Sequence, residues 1–301
     1  MKRLLLLILL LSSVSAFAGG HIVMSGPPVL LSCPLMLMAD DNSLAEYGYS
    51  SEFIPWSSPD QYRALLASDK AMYVIVSTLE YVRLSKIIKD IKLIFSEEGS
   101  PIWFLGEKEN ITIDELSKST VALPFRGDMP EILLSMLLSK NVSGGNKTKI
   151  VSAGGGVASA QLVMTGRADY VAVPEPIADN IVKISEKRGL RKLKYSLSVE
   201  EVWDELYQGS PPLLVSNIVA FNSGGESAEV FSKVSRRYFR KCIDNPQVSA
   251  DVFVKYFPVM NRSSVEKLIK SNKAKIHPAE EIQDKLSEFI KLMKQNIKNG
   301  Y

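Results

Sequence analysis

Residues 121–130 read Val-Ala-Leu-Pro-Phe-Arg-Gly-Asp-Met-Pro, and they set an arginine and an aspartate around a glycine turn. The apolar run Val121 to Leu123 has the character of a short buried strand, and a helix begins at about Met129 or Pro130. A strand that passes through a glycine turn into a helix leaves free backbone N–H groups aimed at one point. With the helix dipole they form a site for an anion or carboxylate. Arg126, beside Gly127, can add a forked cationic donor. Asp128 also suits the N-cap, with Pro130 in the first turn.

Four further loops carry residues of the same kind. Ser25-Gly26-Pro27 follows an early strand and is either a contact or a plain turn. The hydroxyls of Ser77 and Thr78 follow an apolar run and can bond a ligand or cap the next helix. Gly154, Gly155 and Gly156 open a helix and permit close backbone approach to a ligand, or make a turn. Glu175 can receive a ligand amine, hold Arg126 in place, or stand as a solvated loop acid. Arg126 together with Glu175 suits a small polar or zwitterionic solute better than a bare oxyanion. Tyr47, Trp56, Trp103 and Tyr170 are candidate apolar walls, or core.

No catalytic set accompanies these loops. The only histidines are His21, near the N-terminus, and His277, in a late polar stretch. No nucleophile–base pair and no metal-ligand spacing emerges, so no catalytic residue, metal or cofactor is expected. Cys33 and Cys242 can pair but do not make a disulfide framework.

The N-terminus reads as an export signal. Lys2 and Arg3 precede the apolar run Leu4 to Leu11, and Ala16-Phe17-Ala18 has the small-x-small form of a cleavage site. Residues 1–18 are therefore expected to be a signal peptide and the mature chain to be periplasmic. Leu30-Leu31-Ser32-Cys33 loosely resembles a lipidation box, but glycines and prolines separate it from the apolar run. No later apolar run approaches the roughly 18 residues of a membrane span. The 301-residue chain carries a formal charge of +3, which falls to +1 without Lys2 and Arg3. That balance gives no argument for nucleic-acid binding. The length is comfortable for two domains.

Strands alternate with helices through both halves. His21 to Met24, Glu52 to Trp56, Ala71 to Val76 and Ile91 to Phe95 read as strands separated by helices, with the third a parallel-type central strand. The block from about 101 to 186 repeats this alternation, helix 199–206 follows, and from Ser227 onward the pattern is helical. The expected fold class is α/β, with two doubly wound lobes: 19–105 and 216–301 form lobe 1, and 106–215 form lobe 2. Extended segments at about 101–106 and 213–219 are the expected hinge crossings. A ligand would lie between the lobes, where strand C-terminal ends face each other.

Three features in this order resemble the periplasmic solute-binding proteins of ABC transporters, in the nitrate, aliphatic sulfonate, taurine and thiamine-pyrimidine group. They are the Gly26 loop followed by Pro34-Leu35-Met36, the glycines 154–156 followed by Met164-Thr165-Gly166-Arg167-Ala168-Asp169-Tyr170, and Glu175-Pro176-Ile177 after a strand. The resemblance covers about residues 21–260; the glycine usual in the first lobe is not found in Leu65 to Met72. It implies a type II periplasmic binding protein fold and a non-enzymatic monomer. Such a receptor captures a small polar or anionic solute and delivers it to a membrane permease and its ATPase. A periplasmic sensor or partner-binding module on the same fold is the alternative, followed by an enzyme resembling a pyrimidine synthase.

Overall fold

The computed structural model describes residues 20–68, 72–99, 101–141, 147–187, 191–221, 225–271 and 274–300. The expected leader, 1–18, and most of the Gly/Asn/Ser loop at 141–147 lie outside the described residues. The first half of the chain runs β1 (His21–Gly26), α1 (Ser32–Asp40), β2 (Ser50–Pro55), α2 (Pro59–Ala67), β3 (Tyr73–Ser77), α3 (Thr78–Leu84) and β4 (Lys92–Glu98). It continues as β5 (Ile102–Gly106), α4 (Ile113–Leu116), β6 (Thr120–Leu123), α5 (Met129–Asn141), β7 (Lys149–Ser152), α6 (Gly156–Met164), β8 (Tyr170–Pro174) and α7 (Ile177–Lys187). Then come β9 (Lys194–Ser198), α8 (Val199–Tyr207), β10 (Leu214–Ala220), α9 (Gly225–Asp244), α10 (Pro246–Tyr256), α11 (Arg262–Ser271), β11 (Lys275–Pro278) and α12 (Ala279–Gly300).

These strands form two sheets, one of order β11-β4-β10-β3-β1-β2 and one of order β7-β6-β8-β5-β9. In the first sheet β1 pairs in parallel with β2 and β3, and in the second β6 pairs in parallel with β7 and β8, as continuous apolar runs such as Tyr73 to Val76 require when buried on both faces. Helix starts follow local chemistry. Ser58 and Gln61 make a capping box for α2, Thr112 and Glu115 make one for α4, and the Ser198 hydroxyl accepts from Glu201 N–H at α8.

The crossings depart from the sequence expectation in a regular way. Residues 102–106 do not bridge the lobes; they are hydrogen-bonded inside the second sheet, antiparallel to both β8 and β9. Residues 214–220 likewise lie inside the first sheet, antiparallel to β3 and β4. The passages therefore fall just before each strand. The reason is topological. A chain that enters a sheet from the cleft edge starts where the other strands end, so β5 and β10 must run against them.

Two edge strands, β9 and β11, lie where the sequence reading places no strand. Both are short, with five and four residues, and edge strands show little apolar alternation. The last helix also departs from the expected division. Ile282, Leu286, Phe289 and Met293 recur at helical spacing and lie in one core with Trp203, Met136 and Leu137 of the second lobe. That core also takes in Leu79 and Val82 of α3, so α12 spans both lobes. Cys33 of α1 and Cys242 of α9 form a disulfide that closes a sequence separation of 209 residues.

Candidate functional site: an interlobe cleft

The C-terminal ends of β1, β3, β6, β7 and β8 all open onto one cavity between the lobes. Its volume is about 320 Å³. Trp56, Ile75, Phe125, Ile177, Val215 and Phe257 build much of an apolar wall. Its polar side chains are Ser57, Ser77, Ser216, Glu97, Asp128 and Glu175. Among the described residues that line it, none is lysine, arginine, histidine or cysteine.

The structure brings Pro27, Ser77, Asp128, Gly154, Gly155, Gly156 and Glu175 to this cavity, and leaves Ser25, Gly26, Thr78, Arg126 and Gly127 out of its lining. Ser25 is fully buried, and its hydroxyl donates to Ile54 O at 2.7 Å. Gly26 is a packing glycine: a Cβ there would sit 2.5 Å from Ser32 Oγ and 2.8 Å from Ile75 Cδ1. Thr78 is also fully buried. It donates to Leu214 O at 2.6 Å and accepts from Asn217 Nδ2 at 2.8 Å, tying β10 to the start of α3.

Arg126 does not present its forked donor to the cleft. Its Nη1 donates to Ile150 O at 3.0 Å and its Nε lies 3.2 Å from Glu131 Oε2. Glu131 sits in the first turn of α5 with its side chain only 2 % exposed, and a buried carboxylate draws the neighbouring guanidinium toward itself. Glu131 also accepts from Gly127 N–H at 2.6 Å. The forked side-chain donor that Arg126 was expected to add to an anion site is therefore turned away from the cleft.

Asp128 caps α5 as its position suggested: its Oδ1 accepts from Met129 N–H at 2.7 Å and from Ser77 Oγ at 3.0 Å. Gly154 has φ +74°, a conformation that disfavours side chains, and nothing lies within 4 Å of a Cβ on Gly154 or Gly155. Gly155 is the N-cap of α6 and gives that helix end no side-chain acceptor. Gly156 instead meets Ile177 and Val173, each at 3.2 Å.

Glu175 is not paired with Arg126. Its Oε1 accepts from the Tyr195 hydroxyl at 2.7 Å and its Oε2 from Asp179 N–H at 3.1 Å. Burial raises its carboxyl above the ordinary range, and these two hydrogen bonds do not offset that cost. Neighbouring Asp179 moves the other way. Burial also raises it, but hydrogen bonds from Lys183 and Ser264 and the charges of Lys183 and Lys267 prevail and lower it.

Polar links cross the cleft at both rims. Ser77 meets Asp128, and Arg83 Nη2 donates to Gly127 O at 2.8 Å. On the other side Asn180 Nδ2 donates to Val259 O at 3.2 Å, Lys183 reaches Ser263 and Ser264 at 2.9 Å each, and Lys267 lies 3.3 Å from Asp179.

Of the expected aromatic walls only Trp56 lines the cavity. Trp103 packs on Tyr195 with ring centroids 4.8 Å apart, and Tyr170 covers Gly106. Sequence reasoning passed over Phe125, Glu97 and the 257–260 turn. An acid at the C-terminal end of an apolar strand was a usable signal for Glu97. Nothing local connects residues 257–260 to the cleft. Among the described residues no group of three or more His, Cys, Asp or Glu is placed to hold a metal.

No family model matches the chain, and no curated protein matches it in sequence. Solved structures do match in shape. The alkanesulfonate-binding protein SsuA from Xanthomonas axonopodis pv. citri, bound to MOPS, superposes with a TM-score of 0.70 at 11 % identity, covering 92 % of this chain and 93 % of that one. A ligand-binding component of an ABC-type import system from Staphylococcus aureus, with zinc bound, gives 0.66 at 15 % identity over 92 % and 91 %. A Candida albicans protein described as having the generic periplasmic binding protein fold gives 0.64 at 9 % identity over 92 % and 89 %. Identities this low carry the architecture and nothing finer: the chain has the two-lobed periplasmic binding protein fold.

Proposed function

We propose that this protein is an extracytoplasmic receptor that captures a small solute between its lobes and delivers it to the permease and ATPase of an ABC transporter. The observation that carries the reading is the cavity of about 320 Å³ formed where strand ends from both sheets meet. A pocket of that size, walled by apolar side chains with a few polar groups, has the form of a small-molecule site. Trp56, Ser77, Asp128, Gly154, Gly155 and Glu175 are the residues assigned to the solute, on their place in the lining. The Cys33–Cys242 disulfide supports an oxidising compartment, and the sequence of residues 1–18 supports export through a cleaved leader. Among the described residues no helix is long and apolar enough to cross a membrane.

The test joins a thermal-shift screen of a chemically broad set of small solutes with small-angle scattering on each hit. A ligand that binds only the native state raises the melting midpoint, and lobe closure contracts the particle. No midpoint shift across the set would refute a solute-binding role.

A further inference from the structure

We propose that the cleft selects an apolar solute bearing a protonated amine, and turns away sulfonates and other bare anions. This rests on the solute-binding reading above and names its substrate class. The wall is apolar over Trp56, Ile75, Phe125, Met129, Val215 and Phe257, which suits a hydrophobic body of aromatic size. Three acids, Glu97, Asp128 and Glu175, share that cavity, and no basic side chain lines it among the described residues.

The nearby cations are held elsewhere. Arg126 is drawn to Glu131 and Ile150 O, Arg83 to Gly127 O and Glu80, and Lys183 and Lys267 to Asp179. An anion entering this cavity loses its hydration, finds no counter-charge, and faces three carboxylates. An ammonium loses the same hydration but gains charge-assisted hydrogen bonds to carboxylate oxygens.

Helix N-termini at the cleft do not reverse this balance. Each carries roughly half a unit of positive charge. The ends of α5 and α7 are already met by side-chain oxygens of Asp128 and Glu175. At α6 the N-cap is Gly155, which supplies no side-chain acceptor, and the first N–H groups of that helix suit a neutral oxygen of the same solute or water.

The test uses three probes of one shape: 2-phenylethylammonium, 2-phenylethanol and 2-phenylethanesulfonate. Each is titrated against the full chain by calorimetry and by the fluorescence of tryptophan, since Trp56 lines the cavity. The expected order is ammonium tightest, alcohol weaker and sulfonate without response. In the double variant Asp128→Asn/Glu175→Gln the ammonium is expected to lose about 10-fold or more in affinity, with the alcohol changed by no more than about 2-fold. Sulfonate or alcohol binding as tightly as the ammonium overturns the charge preference and leaves the solute-binding reading standing. Silence from all three overturns this proposal, while the broad screen above judges the parent reading independently. Should the double variant lose its fold, the order of the three probes on the native chain still decides.

Discussion

The Ser77 hydroxyl, at the end of β3 in one lobe, donates to Asp128 Oδ1, at the start of α5 in the other, across 3.0 Å. The same oxygen of Asp128 takes Met129 N–H, and Ser77 Oγ accepts from Glu80 N–H. Two helix caps, one per lobe, thus touch each other over the cleft.

Replacing Ser77 removes both roles. Ser77→Ala is expected to cost about 1 kcal/mol of stability from the lost cap of α3 and to weaken lobe closure by a comparable amount. Urea unfolding measures the first. A larger radius of gyration by small-angle scattering under the same conditions measures the second, and an unchanged radius would deny the link any part in closure.

The disulfide between α1 and α9 joins residues 209 apart in sequence. Loop-closure entropy over such a span predicts that Cys33→Ser with Cys242→Ser destabilises the protein by about 2–5 kcal/mol. Denaturant midpoints with and without a reducing agent check it. The native chain should fall to the level of the variant when reduced, and the variant should ignore the reductant.

Glu175 and Asp179 are neighbours with opposite pH signatures. The folded-state carboxyl of Glu175 lies above its ordinary 4.5, so its proton stabilises the fold at low pH. That contribution is complete below 4.5 and is lost as pH rises from there through the raised value. Asp179 lies below its ordinary 3.8, so its contribution is present above 3.8 and is lost as pH falls through the lowered value. The two windows lie on either side of pH 4. Glu175→Gln is expected to flatten the decline in stability between pH 4.5 and neutrality while leaving the acid limb intact. Urea titrations at a series of pH values read both limbs, and a decline unchanged in the variant would assign it to another group.

Phe289 is fully buried on α12, its ring centroid 5.4 Å from that of Trp203. Phe289→Ala is expected to cost about 3–5 kcal/mol, whereas Lys291→Ala on the solvent face stays within about 0.5 kcal/mol. Because this helix spans both lobes, loss of Phe289 should lower the stability of the whole molecule in one transition. Two separated transitions would show that α12 belongs to one lobe alone.

Much of this architecture was legible in the residues themselves. Tyr73-Val74-Ile75-Val76 declares a buried strand, and the strand–helix alternation of both halves implies two α/β lobes with a cleft at the strand ends. Those signals are local, set by burial period, so a linear sequence carries them. The edge strands β9 and β11 and the apolar stripe of α12 escaped assignment because their partners are distant in the chain.

The site divides along the same line. The composition of the loops at Ser77, Asp128, Gly154 to Gly156 and Glu175 brought them to notice, and all of them line the cavity. The direction of a long side chain was not readable. Arg126 adjoins the cleft in sequence, yet Glu131, one turn into α5, draws its guanidinium away. Phe257, far along the chain, closes the wall instead. Residue type and spacing determined that a cleft would exist and which loops would face it. Only the packing of side chains in three dimensions decided its charge, because a salt bridge forms with whichever partner is near and buried, and sequence order does not record that distance.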